Sequence, residues 1–314
     1  MTSPSVIAVE EHFWSPNLRD LHAGRQSVGS AAVAERLGDL GMLRIREMDE
    51  AGIDLQVISE TAPAAQNLEP DAAVLLARRS NDLLHAAIQE HPDRFAGFAA
   101  LPTSAPSAAA AELERTVTRL RFKGAMISGL TGGAFLDEKR FWPIFERASA
   151  LDVPLYIHPA WPHAAVRDVY YRPFAALSGA ALGFTVEALT QAVRLVTSGV
   201  LDEFPRLKII LGHLGEALPF LLWRIDNACR RQMNLPNEFA SYVRRHFYVT
   251  TSGAFSNAAL ACTIAELGID RIMFAVDWPY QPNAAARQFM VAAPIGDADR
   301  RRILAGNARA LLRL

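Results

Sequence analysis

The sequence contains few cysteines, no excess of charge of either sign and no long apolar run. Its two cysteines, Cys229 and Cys262, can form neither a disulfide framework nor a thiolate zinc site, so a reducing cytoplasm is the expected compartment. The 32 basic and 33 acidic residues give a formal net charge of -1, which argues against a nucleic-acid-binding surface or a polybasic membrane-binding face. We therefore expect the partner to be a small molecule.

Sequence features of secretion and of membrane insertion are missing as well. Residues 1–5 do not form a basic region followed by an apolar stretch of signal length, and no run of about 18 apolar residues occurs. The first apolar segment is not followed by the glycine-rich turn of a nucleotide-binding sheet, which makes a doubly wound sheet the second choice of fold. The sequence predicts a protein that is neither secreted nor inserted into a membrane.

Eight short apolar segments alternate with segments of helical spacing along the 314 residues. The strand candidates are 6–9, 55–58, 95–101, 124–127, 153–157, 207–211, 247–250 and 272–276. This alternation is typical of a (β/α)8 barrel, and a single domain of this fold reaches this length. We predict an α/β fold, a distorted (β/α)8 barrel that forms one domain over residues 1–314. Insertions are expected after the first strand, at about 13–42, and after the fifth strand, at about 159–184, where the chain is a candidate lid.

Polar side chains that could bind a metal follow several predicted strands. Glu10 and His12 end the first strand on one face, His158 follows the fifth, His213 the sixth and Asp277 the eighth. A lone histidine at a strand end is usually structural, but in such barrels the strand ends meet at one mouth, so the joint occurrence favours a site. Two carboxylates with two imidazoles suit Zn²⁺, Mn²⁺ or Fe²⁺, and Mg²⁺ stays open because the spacing does not choose among them.

His213 and Glu216 form a second candidate pair, at the junction between the sixth strand and a helix. Glu216 follows three residues after His213 and can lie on the same side of the first helical turn, where it would accept a hydrogen bond from the imidazole. A carboxylate partner raises the basicity of the imidazole and suits it to proton transfer or polarisation. The alternative is that Glu216 is only an acidic residue favoured by the helix dipole.

Short motifs along nearly the whole chain resemble those of the metal-dependent decarboxylase branch of the amidohydrolase superfamily. They are Glu-Glu-His-Phe at 10–13, His-Pro at 158–159, the runs 212–216 and 223–226, and Asp-Trp-Pro at 277–279. The closest likeness is to decarboxylases of γ-resorcylate and 2,3-dihydroxybenzoate. The resemblance implies an amidohydrolase-like barrel and a cytoplasmic lyase of aromatic compound catabolism.

The resemblance also implies roles for individual residues. Glu10, His12, His158 and Asp277 would bind one divalent metal ion, and His213, supported by Glu216, would be a catalytic partner. The hydrolytic branch usually begins with His-x-His and often adds a carboxylated lysine. Here a glutamate replaces the first histidine, and Lys123 precedes its strand, so the departure from the hydrolases favours a decarboxylase.

Two departures from the decarboxylases affect the expected substrate contacts. Ser128 stands where the resorcylate enzymes have an asparagine after the fourth strand, and Ala160 replaces the arginine that follows their His-Pro. The lid at 161–183 also matches poorly. The family assignment is unaffected, but the identity of the aromatic acid stays open.

The implied reaction is the release of CO₂ from an ortho-hydroxybenzoate. The metal would chelate a carboxylate oxygen and the phenolate oxygen, Asp277 would deliver the proton to the ring carbon, and His213 would hold a substrate oxygen. Arg224 would pair with a substrate anion, lie at a subunit interface or pair with Asp226. The remaining candidate substrate contacts, each of which could instead be packing, are Ser128, Tyr280 and Trp14.

Two rival functions fit the same residues. A hydrolase, lactonase or hydratase would use Asp277 as the general base for a metal-bound water. A barrel without chemistry would act as a binding or assembly protein, although its metal ligands argue against this. The apolar run 218–222 permits a homodimer or a homotetramer.

Overall fold

The structure, a computed structural model, describes residues 5–22 and 30–314. Residues 1–4, and residues 23–29 within the first predicted insertion, lie outside the described residues. The nine strands within the described part are β1 Ile7–Phe13, β2 Leu55–Glu60, β3 Phe95–Gly97, β4 Ala99–Ala100, β5 Ala125–Ser128, β6 Pro154–His158, β7 Lys208–Leu211, β8 Phe247–Thr250 and β9 Ile272–Met273. Each of the eight predicted strand positions therefore contains a strand.

The third predicted strand is divided into β3 and β4 because the chain changes partner at Phe98. The amide of Phe98 donates to the carbonyl of Ile58 in β2, whereas the amide of Ala99 donates to the carbonyl of Gly124 beside β5. The apolar run 95–101 thus pairs with β2 through its first half and with β5 through its second half.

Helices lie between the strands and cover the outside of the sheet. They are α1 Pro16–His22, α2 Ala31–Leu37, α3 Met42–Ala51, α4 Pro70–Glu90, α5 Pro106–Arg119, α6 Trp142–Leu151, α7 Ala164–Tyr170, α8 Gly183–Thr197, α9 Val200–Glu203, α10 His213–Glu216, α11 Leu218–Gln232, α12 Phe239–His246, α13 Asn257–Leu267, α14 Asn283–Ala292, α15 Asp297–Arg301 and α16 Asn307–Leu312. Single 3-10 turns occupy Lys139–Phe141, Ala175–Ser178 and Ile269–Arg271, and Arg302–Gly306 is a π-helical turn.

The sheet is parallel and closes on itself. Strands β1 to β3 pair in order, as do β4 to β9. The segment after β9 then bonds to β1: the amide of Val9 donates to the carbonyl of Phe274 at 3.1 Å, and the amide of His12 donates to that of Trp278 at 2.7 Å. The protein is therefore a distorted (β/α)8 barrel, and the predicted fold class is confirmed.

The barrel interior is filled by one apolar cluster below the polar strand ends. Its members include Ile7, Val57, Met126, Tyr156 and Ile210, all buried. Because side chains alternate along a strand, the residues two positions after Met126 and Tyr156 also point inward. Ser128 and His158 occupy these positions and pair in register, so they form part of the layer above the apolar cluster.

The two insertions contain short helices. In the first, α1 and α2 hold Leu18 and Leu37 in a small apolar cluster. The second is not a plain loop, since it contains α7 and a 3-10 turn and exposes Val169, Tyr170 and Phe174.

One stretch, Ala175–Thr197, is long and apolar enough by composition to cross a membrane. Its helix α8, however, packs on the barrel and buries Glu187 and Gln191. Gln191 accepts a hydrogen bond from the amide of Leu136 at 3.0 Å, so this polar side chain is satisfied inside the protein. This stretch therefore contains a helix of the barrel's outer layer.

Candidate active site

Four polar side chains converge where β1, β6 and the segment after β9 end. One ligand atom from each of Glu10, His12, His158 and Asp277 lies within 4.8 Å of the others. The Nε2 atom of His12 lies 3.2 Å from Oδ1 of Asp277, and the Nε2 atom of His158 lies 3.3 Å from Oε1 of Glu10. The structure thus brings together the four groups that the sequence suggests as ligands.

The inner atoms of this group fit a divalent ion. Glu10 Oε1, His12 Nε2 and Asp277 Oδ1 are buried and have no hydrogen-bond partner. Buried polar atoms are normally satisfied, so three such atoms aimed at one point fit a cation-binding site. Two carboxylate oxygens and two imidazole nitrogens form a donor set suited to Zn²⁺, Mn²⁺ or Fe²⁺.

The other oxygen of Glu10 is held by three hydroxyl groups. The Oε2 atom accepts hydrogen bonds from Tyr156, from Ser252 and from Thr250, the last at 3.0 Å. A side chain at Gly212 would collide with this carboxylate, because a Cβ atom there would lie 2.9 Å from Oε2. These contacts fix the carboxylate so that only Oε1 faces the site.

The two ligand histidines are oriented by their second ring nitrogens. The Nδ1 atom of His158 lies 2.7 Å from the carbonyl oxygen of Pro159, and the Nδ1 atom of His12 lies 3.5 Å from the hydroxyl of Ser59. A donor bond from Nδ1 leaves Nε2 as a lone-pair ligand. Both rings therefore present Nε2 to the centre of the group.

Asp277 has a left-handed backbone, with φ 74°, which is uncommon for an aspartate. Its amide donates to the carbonyl of Glu10 at 3.0 Å. The amides of Val276 and Trp278 donate to the two carboxylate oxygens of Glu11 at 2.9 and 3.1 Å. Glu11 points to the opposite face from Glu10, as the strand alternation predicts, and binds backbone rather than the metal group.

His213 lies beside the four-residue group and is bound to Glu216. Its Nδ1 atom is 2.6 Å from Oε1 of Glu216, and its Nε2 atom is 3.9 Å from both Glu10 Oε1 and Asp277 Oδ2. The predicted pair is therefore present, but the reason given for it was wrong. Residues 213–217 all have positive φ, so α10 is a left-handed turn and not the first turn of a regular helix.

The pKa values of three candidate ligands are shifted by burial and by their neighbours. Burial alone would raise the pKa of Glu10, but His213, His158 and His12 hold it far below its usual value. Burial alone would raise the pKa of Asp277, but the adjacent rings of His12 and His213 lower it below its usual value. Burial lowers the pKa of His12, which keeps this ring neutral. Ionised carboxylates and a neutral imidazole are the states that bind metal.

His213 differs from the ligand histidines. Burial disfavours its charged form, but Glu216, Glu10 and Asp277 raise the pKa of the ring well above its usual value. These carboxylates therefore favour the protonated ring, which can donate a proton or a hydrogen bond through Nε2.

The four predicted substrate contacts have different surroundings. Ser128 is buried and points inward beside His158, and its hydroxyl has no partner. Tyr280 lies at the rim, with its ring 5.7 Å from that of His12 and its hydroxyl 2.7 Å from that of Thr61. Both can therefore face a substrate.

Trp14 and Arg224 lie elsewhere. Trp14 is buried in the cluster with Leu18 and Leu37, as the packing alternative predicts. Arg224 is exposed on α11 and makes no ion pair with Asp226, which bonds to Arg230 at 2.7 Å instead. Of the alternatives for Arg224, the ion pair with Asp226 is therefore not present in the structure.

A cavity of about 380 Å³ opens beside these strand ends. Leu130 and Ala160 line its inner side, and the lid contributes Trp161, His163 and Arg167. None of the four candidate ligands lines this cavity, and its lining residue nearest to one of them in the chain is Ala160, two residues after His158.

Several residues around the site were not found from the sequence. Tyr156 could have been found, since it precedes His158 by two residues on the same strand face. Thr250 and Ser252 carry no local signal, because they meet β1 only through the closed barrel, and Arg44 carries none because it contacts His12 from α3, 32 residues further along the chain.

Comparisons with known proteins agree with this geometry. A family model described as Amidohydrolase matches residues 7–314. The γ-resorcylate decarboxylase of Polaromonas sp. strain JS666 is 39% identical, and the match covers 98% of this chain and 98% of that protein.

Two solved structures are similarly close. A dihydroxybenzoic acid decarboxylase from Polaromonas sp. JS666, with bound manganese and the inhibitor 2-nitroresorcinol, has a TM-score of 0.93 and 38% identity, covering 100% of this chain and 98% of that one. The 5-carboxyvanillate decarboxylase of Sphingomonas paucimobilis has a TM-score of 0.92 and 36% identity, covering 98% of this chain and 99% of that one.

Proposed function

This chain belongs to the amidohydrolase family and is a metal-dependent decarboxylase of a hydroxylated aromatic acid, and we propose how its residues divide the work. Glu10, His12, His158 and Asp277 hold one divalent ion. The assignment rests on the convergence of one ligand atom from each residue within 4.8 Å, three of these atoms being buried without a hydrogen-bond partner. When bound, the ion supplies Lewis acidity toward a carboxylate oxygen and an ortho oxygen of the substrate.

Asp277 and His213 handle the proton. Decarboxylation replaces the carboxylate on the ring carbon by a hydrogen, so each turnover consumes one proton and releases CO₂. Asp277 is ionised in the free protein, and the negative charge of an arriving substrate raises the pKa of this carboxyl. The His213 imidazolium, 3.9 Å from Asp277 Oδ2, is the source of the proton that Asp277 passes to the ring. Glu216 holds His213 in place.

Ser128 and Tyr280 contact the substrate. The unpartnered hydroxyl of Ser128 bonds to a ring substituent, and Tyr280 packs against the ring from the rim. Trp14 lies behind them and holds the first insertion in position.

The active form is a homodimer or homotetramer. Phe220 and Trp223 on α11 are 79% and 72% exposed and lie on the helix that carries Arg224. Large exposed aromatic side chains beside an unpaired arginine are typical of an interface. Arg224 then serves a neighbouring subunit rather than its own site.

The proposal also covers the metal ion, the cellular location and the domain boundaries. Manganese is the expected ion, since the donor set accepts it and a relative at 38% identity contains it. The cytoplasm is the expected location, because two unpaired cysteines suit a reducing compartment. Residues 1–314 form one barrel domain with insertions at about 13–42 and 159–184.

The test is CO₂ release from a panel of hydroxybenzoates that includes 2,6-dihydroxybenzoate and 5-carboxyvanillate. We expect CO₂ release with manganese. The rate of release should fall at least about 100-fold after chelation, because the Lewis acid is removed, and by a similar factor in Asp277→Asn, because the proton donor is removed. The exposed Asp270, which pairs with Arg302 at 2.8 Å, provides the control Asp270→Asn with unchanged release. Full release by the Asp277→Asn variant would reject the proton donor, and release of products from lactones but not CO₂ would favour a hydrolase.

A further inference from the structure

Three consecutive backbone amides around Asp277 are bound by β1. Those of Val276 and Trp278 donate to Glu11 at 2.9 and 3.1 Å, and that of Asp277 donates to the carbonyl of Glu10 at 3.0 Å. Because Asp277 has a left-handed φ of 74°, its conformation depends on such external contacts. The bidentate carboxylate of Glu11 therefore sets the direction in which the Asp277 side chain leaves the backbone.

Arg44 makes the corresponding contacts with His12. Its Nη2 atom donates to the carbonyl of His12 at 2.5 Å, and its Nε atom donates to the carbonyl of Asp39 at 3.0 Å. The guanidinium carbon lies 4.0 Å from the ring centroid of Trp278, the residue after Asp277. Arg44 is completely buried, although arginine is almost never so unless it is paired.

Glu11 and Arg44 both lie inside the barrel wall, where each side chain is 0% exposed. Burial raises the pKa of Glu11 well above its usual value, and the amides of Val276 and Trp278 and the positive charge of Arg44 oppose this rise. One member binds the backbone on both sides of Asp277, and the other binds the backbone of His12. The two side chains thus fix the backbone of Asp277 and of His12, whose Oδ1 and Nε2 atoms lie 3.2 Å apart in the site.

We infer that Glu11 and Arg44 are positioning residues that hold Asp277 and His12 at the separation needed for metal binding and proton delivery. This inference rests on the proposed function of Asp277. It assigns a role to a glutamate that neither binds the metal nor contacts substrate. A purely structural pair would support the fold without controlling this separation.

The variants Glu11→Gln and Arg44→Met test the inference one residue at a time. The glutamine amide keeps the volume of Glu11 but can accept only one of the two backbone hydrogen bonds. We expect kcat to fall about 10- to 100-fold, with KM changed less than about 3-fold, and the manganese dissociation constant to rise about 10-fold. The affinity is measured by competition with a fluorescent chelator in the absence of substrate.

The double variant Glu11→Gln/Arg44→Met separates positioning from stability. Each single variant removes buried hydrogen bonds and is expected to lower Tm, whereas the double variant removes the coupling between the two residues only once and should lower Tm by less than the sum of the two losses. Its kcat and manganese affinity should stay low. Recovery of both together with Tm would overturn the inference, because the pair would then be only structural.

A partly buried ion pair provides the control. Glu112 and Arg115 on α5 lie 2.7 Å apart and are remote in the chain from the ligand group. Glu112→Gln is expected to lower Tm while leaving kcat and manganese affinity unchanged. Since metal affinity is measured without substrate, the inference fails or stands even if the parent protein released no CO₂ from any hydroxybenzoate. Unchanged affinity and kcat in Glu11→Gln would reject it.

Discussion

The two oxygens of the Glu10 carboxylate have different surroundings. Oε2 is bound by three hydroxyl groups, whereas Oε1 is unpartnered and faces the other ligands. A carboxylate held in this way can offer one charged oxygen to a metal without rotating. The sequence predicts Glu10 as a ligand but gives no sign of this asymmetry, because Thr250 and Ser252 lie about 240 residues away along the chain.

Glu187 on α8 is the second residue whose surroundings lead to a prediction. It is buried, its Oε1 atom has no partner and its Oε2 atom accepts only a long bond from the amide of Ala160, at 3.5 Å. Burial, opposed by that bond and increased by Glu216, raises the pKa of Glu187 to about 8. The carboxyl group is therefore protonated in the folded protein at pH 7 and ionised in the unfolded chain.

The expected consequence is a loss of stability with rising pH. Because the folded pKa is raised, the favourable contribution is complete below the unfolded value of 4.5 and disappears as the pH passes about 8. The free energy of unfolding should fall by on the order of 3 kcal/mol between pH 5 and pH 8 through this residue. Urea denaturation at both pH values measures it.

Glu187→Gln provides the comparison for this pH dependence. The variant cannot ionise, so its stability should fall less between pH 5 and pH 8 than that of the parent. Parallel pH profiles for the two proteins would show that Glu187 does not titrate in this range.

At the scale of elements, the strands were predictable and the turn that holds His213 was not. Apolar runs of strand length mark all eight strand positions, because buried parallel strands require them. By contrast, the left-handed turn α10 contains one glycine, Gly215, among residues 213–217. Its conformation is imposed by distant groups: Ser252 accepts from the amide of His213, and Thr263 donates to the carbonyl of Leu214.

The turn predicts a substitution that stabilises the protein. Ala217 is exposed and has φ 62°, a conformation that costs an L-residue about 1–2 kcal/mol and glycine almost nothing. After the entropy that glycine adds to the unfolded chain, Ala217→Gly should raise the free energy of unfolding by about 0.5 kcal/mol. The midpoint of urea denaturation measures this change.

Ala228, in the regular part of α11, is the control position. There the same substitution should lower the free energy of unfolding by about 0.5–1 kcal/mol, because glycine weakens a right-handed helix. Equal signs at the two positions would contradict the handedness argument.

At the scale of the whole molecule, the metal group should couple binding to folding. The four ligands come from distant parts of the chain and converge only in the folded barrel. Manganese at about 100 times its dissociation constant should therefore add about 2.7 kcal/mol to the free energy of unfolding. The observable is a rise in Tm on adding manganese and its reversal by chelator.

The loss of one ligand should abolish that rise. His158→Ala removes an imidazole from the group, whereas His91→Gln, at the end of α4, removes one outside it. Only the first variant should lose the Tm increase. An equal increase in both variants would place the stabilising ion elsewhere.

The seam of the barrel, where β1 meets residues 274–278, has a consequence for the timing of folding. Glu10, His12 and Asp277 lie on its two sides, and the hydrogen bonds that join the sides connect residues 265 and 267 positions apart. Contacts of such long range form late, since almost the whole chain must be ordered first. Nearly the entire polypeptide must therefore leave the ribosome before the metal site can form. Metal binding during synthesis then indicates that the last strand has paired with the first.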